Sequence, residues 1–384
     1  MNFAPSERGA QISPFLVMEV MSQAAERIAE GKDVLHLEVG QPGTPAPQGA
    51  LAAAKQAIDA QVLGYTVALG NYSLRERLAK HYSDWYGVSV DPAHIAITTG
   101  SSAGFTLSFL AAFNPGDKVL LTDPSYPCYR NILGALGIEV VRIPAGADTR
   151  YQIDADMLDE IPDLAGVVCA SPSNPTGCVL PDSDLKRLAI ACHERGIRLI
   201  SDEIYHGLVY QGTVGTAAAY SPSAVIINSF SKYFSMTGWR IGWLLMPEDL
   251  RASIERLAAN FFISAPGVSQ TAAAAALDCL PELEGNKASY AKNRALLLDR
   301  LPKMGIDNIA PPDGAFYLYA DISNLTNDTT AFCRSLLADT GVAITSGLDF
   351  APDHGNRTIR ISYCGQYADT LEAVDRMENW LQSR

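Results

Sequence analysis

From about residue 48 to residue 246 the chain alternates between short apolar runs and helical patterns, and this alternation limits the fold more than any other feature. Helical periodicity at 50–61 and 73–86 leads to the run HIAITT (94–99) and a helix from about 102. KVLLTD (118–123), a helix near 127–136, IEVVRI (138–143), AGVVCA (165–170), a helix over 182–195, IRLIS (197–201), AVIIN (224–228) and IGWLLM (241–246) follow. Strands that alternate with helices predict an α/β fold, a mostly parallel sheet sandwiched by helices. Helices dominate 248–304, and the tail mixes GAFYLYADI (314–322), a helix at 328–340, RTIRISYC (357–364) and a closing helix at 367–383. With a further helix at 13–31 and a Pro/Gly-rich connector at 41–49, these predict a large domain over 46–280. A smaller α+β domain is expected from both chain ends, 1–45 and 281–384.

The 384 residues suit two domains. A formal net charge of −13 disfavours nucleic acid and anionic membranes as partners, although local cations can still hold a small anion. Seven scattered cysteines without a CxxC pair predict reduced thiols rather than a disulfide frame or zinc site. The opening MNFAPSERGAQ has no apolar signal core, and charges interrupt every apolar stretch before the ~20 residues of a membrane span. A soluble, cytoplasmic protein is expected.

In an open parallel sheet, ligands sit beyond the carboxyl ends of the strands. Four strand ends here carry polar residues: GSSAG (100–104), SPSNPTG (171–177), SDEIYHG (201–207) and NSFSK (228–232). GSSAG opens a helix, where free N–H groups and the helix dipole favour a phosphate, though a serine cap alone explains it as well. Asp202 ends an apolar run and needs a cationic partner or several hydrogen bonds if buried. Tyr205 follows it by three residues. Asn174 can donate and accept at once, and Asn174–Pro175 is a candidate cis bond. Lys232 becomes a nucleophilic amine if it is desolvated or near other cations, and Arg240 can pair with a phosphate as a fork. An amine, a phosphate cradle and a carboxylate for a ring nitrogen together describe a site for pyridoxal phosphate.

SPSNPTG, SDEIY and SFSKYFSMTGWRIGW, in this order, resemble the fold-type I, class I/II pyridoxal-phosphate aminotransferases, and GYTVALGNYSLRERLAKHY (64–82) and RTIRISYC extend the similarity over nearly the whole chain. The resemblance implies transfer of the α-amino group of an amino acid to a 2-oxo acid by ping-pong turnover. Lys232 would carry the Schiff base and shuttle the proton, and Asp202 would pair with the pyridinium nitrogen. Tyr205 and Asn174 would bond the phenolic oxygen. Ser101, Ser102, Ser229 and Arg240 would hold the phosphate, and Tyr126 would stack on the ring. Tyr65 would reach the phosphate of a neighbouring subunit, which implies a homodimer. Arg360 would clamp the substrate carboxylate, helped by Gly40 and Asn174. No arginine for a second substrate carboxylate stands out, and Ser231 has no assigned role.

Two rivals use the same residues. A β-lyase could run on the same scaffold with the same cofactor. G-x-S-x-G at 100–104 also matches the nucleophile elbow of an α/β-hydrolase, with Ser102 as nucleophile, His354 as base and Asp321 or Asp349 as orienter. That reading leaves Lys232, Arg240 and SPSNPTG without a job. Asp202, Glu203 and His206 form a weak metal pattern, and no metal is expected.

Overall fold

The computed structural model describes residues 3–10 and 12–384. Helices α1 (Glu7–Ala10) and α2 (Leu16–Ala29) precede the two-residue strand β1 (Leu35–His36). Helices α3 (Gln48–Ala60) and α4 (Tyr72–Tyr86) lead into the alternating region. It comprises β2 (Ile95–Thr98), α5 (Ser101–Ala112), β3 (Lys118–Asp123), α6 (Pro127–Ala135), β4 (Glu139–Pro144), β5 (Leu164–Ala170), α7 (Asp182–Glu194), β6 (Arg198–Asp202), β7 (Val225–Ser229) and β8 (Gly242–Leu245). Helices α8 (Glu248–Phe261), α9 (Gly267–Ala276) and α10 (Leu280–Arg300) follow. The tail holds β9 (Asn308–Ile309), β10 (Tyr317–Asp321), α11 (Thr329–Thr340), β11 (Val342–Ala343), β12 (Thr345–Ser346), β13 (Thr358–Ser362) and α12 (Tyr367–Gln382).

The alternating region folds as one seven-stranded sheet in the order β2-β8-β7-β6-β5-β3-β4. Its strands are parallel except β8, which runs antiparallel to both β2 and β7. No α-helix separates β7 from β8, and a parallel pairing would need such a crossover. Side chains alternate across the sheet. Val119, Leu121, Val225 and Ile227 pack on one face with Phe105 and Phe109 of α5 and Ile254 of α8. Leu120, Val167, Leu199 and Ile226 face the other side, towards Leu185 and Leu188 of α7. Both faces are therefore covered, as near-continuous apolar strands require. Among the described residues no helix is long and apolar enough to cross a membrane.

The chain ends meet in two smaller sheets. β1 pairs in parallel with β11, and β12-β13-β10-β9 form an antiparallel sheet with Arg360 on its inner strand β13. The two-residue strands β1, β9, β11 and β12 show no periodicity and escape sequence reading. Asn174–Pro175 is cis, as expected, and Asp123–Pro124 and Ser171–Pro172 are cis as well.

Gly242 fixes how the β2 and β7 ends sit side by side, since it pairs with Thr98 and Ser229 at once. The three atoms nearest to a Cβ here are all backbone: Asn228 O at 2.8 Å, Gly100 C at 3.1 Å and Ser101 N at 3.1 Å. Gly242→Ala should therefore cost about 1–3 kcal/mol, read as a lower denaturant midpoint. An unchanged midpoint would show that the β2–α5 turn yields freely.

Candidate active site

Because β2, β3, β5, β6 and β7 point the same way, their carboxyl ends share one edge of the sheet. A cavity of about 220 Å³ opens there, and its wall includes Ser101, Ser102, Tyr126, Asn174, Asp202, Tyr205, Ser231, Lys232 and Arg240 from the strand ends. Gly40, Tyr317 and Arg360 close it from the chain ends.

The first turn of α5 begins after Gly100, whose φ of +83° suits glycine. A Cβ on Gly100 would lie 2.4 Å from Arg240 Nη2, so the glycine lets the guanidinium approach the free N–H groups of the helix start. Arg240 itself adopts the left-handed conformation, φ 49° and ψ 55°, which costs a non-glycine residue about 1–2 kcal/mol. Its Nη1 donates to Thr237 O at 3.0 Å.

Lys232 Nζ donates to Gly40 O at 2.6 Å. Burial pushes this amine down to about 8, against the pull of the nearby Cys364 thiol, and the Arg360 and Arg240 charges add to the fall. Asp202 is buried at the end of β6, and burial pushes its carboxyl up to about 6. The Tyr129 hydroxyl and the Ile204 N–H (3.1 Å) donate to its two oxygens and oppose that rise. The result is a buried carboxylate with two donors and room for a cation.

Arg360 is 3% exposed. Its Nη1 donates to Asn174 Oδ1 at 2.9 Å and its Nη2 to Glu38 O, while its guanidinium lies 4.5 Å from the Tyr317 ring centre and 4.6 Å from that of Phe350. Its buried Nε has no partner. Tyr205 Oη and Tyr317 Oη are 2.8 Å apart. A Cβ on Gly40 would lie 1.7 Å from Tyr317 Oη, so only glycine fits under that hydroxyl.

Two expected residues lie off this wall. Ser229 is buried behind the cavity wall: its Oγ donates to Ile241 O at 2.9 Å and lies 2.8 Å from Ser231 Oγ. Ser231, not Ser229, lines the cavity. Tyr65 is 87% exposed and stands outside this wall, with exposed Val62, Leu63 and Val67 within three residues of it in sequence. Sequence reading missed Tyr129 and Tyr317. Tyr129 lies three residues after Tyr126 at the start of α6, and i, i+3 neighbours share a helix face, so its place was readable. Tyr317 lies in an apolar strand run, and nothing in that run says which face meets the cavity.

The hydrolase reading is overturned. Ser102 is in the first turn of α5, not on a strained turn, and is absent from the positive-φ residues that a nucleophile elbow needs. His354 is exposed and off the cavity wall. Asp349 accepts from the Leu16 and Val17 N–H groups, and Asp321 pairs with Arg357 at 3.1 Å. Of the metal pattern, only Asp202 faces the cavity: Glu203 Oε1 accepts from Ser201, Thr216 and Ala217, and His206 Nδ1 meets Tyr86 Oη at 2.8 Å.

Comparison with known proteins agrees with this geometry. The family model of aminotransferases of class I and II matches residues 32–377. A valine–pyruvate aminotransferase of Mycobacterium tuberculosis is 52% identical over 380 residues, 98% of each chain. The crystal structure of an aminotransferase from M. tuberculosis superposes with a TM-score of 0.97 at 51% identity over all of both chains. Aspartate aminotransferase of Thermus thermophilus with maleate gives 0.93 at 28% identity, covering 98% of this chain and 100% of that one. The chain belongs to the class I and II aminotransferases. It is a transaminase, an enzyme that moves the amino group of an amino acid to a 2-oxo acid.

Tyr129→Phe keeps the ring against Phe105 and Tyr126 but removes a donor from Asp202. The Asp202 midpoint should then climb above about 6 by up to about one pH unit. Carboxyl-carbon NMR of the cofactor-free protein reads this directly, and an unmoved or lower midpoint would contradict it.

Proposed function

We propose that the chain works as a pyridoxal-phosphate-dependent transaminase with a ping-pong cycle, and that Lys232 is its covalent residue. The observation that carries the reading is one partly desolvated amine, Lys232, in the same cavity wall as the buried carboxylate Asp202 and the helix start beside Arg240. The residues fit the group. The α5 N-terminus, Ser101, Ser102, Ser231 and Arg240 offer donors and positive charge to a phosphate, with Ser229 bracing Ser231. Asp202, raised by burial, gains from a cationic ring nitrogen. Tyr126 offers a ring face, and Asn174 and Tyr205 offer polar groups for a phenolic oxygen.

Pyridoxal phosphate, when bound, supplies an aldehyde that links to amines and a ring that draws electrons from the substrate α-carbon. This chain supplies the rest. A lysine near 8 has a far larger neutral fraction at physiological pH than an ordinary lysine, roughly a fifth, and in that form Lys232 Nζ can attack a carbonyl and afterwards accept and return a proton. Arg360, with its buried unpartnered Nε, suits the substrate carboxylate. Asn174 Oδ1 holds that guanidinium in place.

The large cofactor-binding part is taken as 46–280, and the smaller part as 1–45 with 281–384. A homodimer in the cytoplasm, with Tyr65 reaching the partner's site, completes the proposal. Exposed Val62, Leu63 and Val67, next to Tyr65 in sequence, support it, since a run of apolar side chains in solvent suits a surface that another subunit covers. The name of the M. tuberculosis relative points to an aliphatic donor and pyruvate as acceptor. Among the described residues the cations on the cavity wall are Lys232, Arg240 and Arg360, each with a role above, which leaves none of these for a second substrate carboxylate.

Capture of pyridoxal phosphate by the cofactor-free protein should quicken as pH rises from 7 through about 8, then level off as the amine becomes neutral. A rate still climbing beyond pH 10 would show an ordinary lysine and contradict the assignment. Arg360→Lys should raise KM and lower kcat/KM by about 10- to 100-fold, because lysine cannot form the bidentate pair. Unchanged kinetics would assign Arg360 to structure alone. Release of pyruvate and ammonia from a β-substituted amino acid, without amino transfer, would place the enzyme among the lyases.

A further inference from the structure

Helix α2 begins without a cap of its own. Its N-cap residue is Phe15, which has no side-chain acceptor, so the N–H groups of the first turn need partners from elsewhere. Asp349 supplies them from the far end of the chain: Oδ1 accepts from Leu16 N at 3.1 Å and Oδ2 from Val17 N at 3.2 Å. Asp349 is 1% exposed. It ends a 3₁₀ turn that Ser346 caps by accepting from Leu348 N, and Arg130 Nη2 donates to its carbonyl at 2.7 Å. Both carboxylate oxygens are thus engaged by the start of α2.

The turn it holds faces the active site. Phe15, Val17 and Met18 line the cavity, and the Phe15 ring meets Tyr126 edge-on at 6.1 Å. These residues make one side of the cavity apolar. The strand before Asp349, β12, pairs with β13 at Thr345 and Arg360. The residue suited to the substrate carboxylate and the residue that fixes the apolar wall therefore hang from one pair of strands.

We propose that Asp349 is a positioning residue for donor selection: by capping α2 across the chain it holds Phe15, Val17 and Met18 as a wall against the donor side chain, favouring aliphatic amino acids. This rests on the transaminase reading. The wall rewards each buried methylene by about four-fold, so valine should exceed alanine by roughly ten-fold or more in kcat/KM.

The test is the single-turnover half-reaction of the holoenzyme with L-valine and L-alanine, followed through the cofactor's visible band. Asp349→Asn keeps the volume but leaves one acceptor for two N–H groups. The valine-to-alanine ratio of kcat/KM should fall at least about five-fold, mainly through a higher KM for valine. Met18→Ala, at a residue 56% exposed and so little involved in folding, should lower the ratio in the same direction. Hydrogen exchange should speed up at the Leu16 and Val17 amides of Asp349→Asn. If both donors slow by the same factor, or the ratio stays at the wild-type value, Asp349 is structural only and the proposal is overturned. If the wild-type enzyme converts no amino acid, the transaminase reading falls and takes this one with it.

Discussion

Two cations, Arg360 buried and Lys232 half-buried, are held by carbonyls of one short segment, and the site is organised around that fact. Gly40 O accepts from Lys232 and Glu38 O accepts from Arg360. Charges taken out of water need such partners, because isolated burial costs several kcal/mol. The segment is itself fixed by both of the smaller sheets. Leu37 N–H donates to Ala343 O, Ser362 N–H donates to Leu37 O, and the Thr345 hydroxyl donates to Glu38 O. The strand ends of the large sheet and the sheets of the chain ends therefore meet on residues 38–40, and Gly40 has no space for a side chain beneath Tyr317.

The electrostatics follow from how each charge is compensated. Lys232 has one carbonyl and two cationic neighbours, so burial wins and the amine falls to about 8. Asp202 has two donors, but burial still lifts it to about 6. Each group is pushed towards its neutral form, and each gains from a ligand that brings the missing complement. Such paired shifts in one cavity mark functional sites more than structural ion pairs. The buried Arg360 Nε, without a partner, points the same way.

Much of this was legible in the sequence, for identifiable reasons. The long helices and the sheet strands carry periodicity and turn residues, so the alternating region and its mostly parallel sheet were readable. Asp202, Lys232 and Asn174 were readable because they follow apolar runs on one sheet edge, and Arg240 because it stands eight residues after Lys232, just before the next strand. The strands β1, β9, β11 and β12 were not, because two residues carry no period. Ser229 and Ser231 differ by two positions, and only the packing of Ser229 against Ile241 O decides which hydroxyl reaches the cavity. Tyr317 and the cap that Asp349 gives to α2 join residues hundreds of positions apart, beyond any local pattern.

The central claim is that Lys232 is the residue that bonds the cofactor. Borohydride reduction of the pyridoxal-phosphate-loaded enzyme, followed by proteolysis and mass mapping, tests it most directly. The account predicts one stable adduct, on the peptide that contains Lys232. An adduct on any other lysine, or none after full loading, would contradict it.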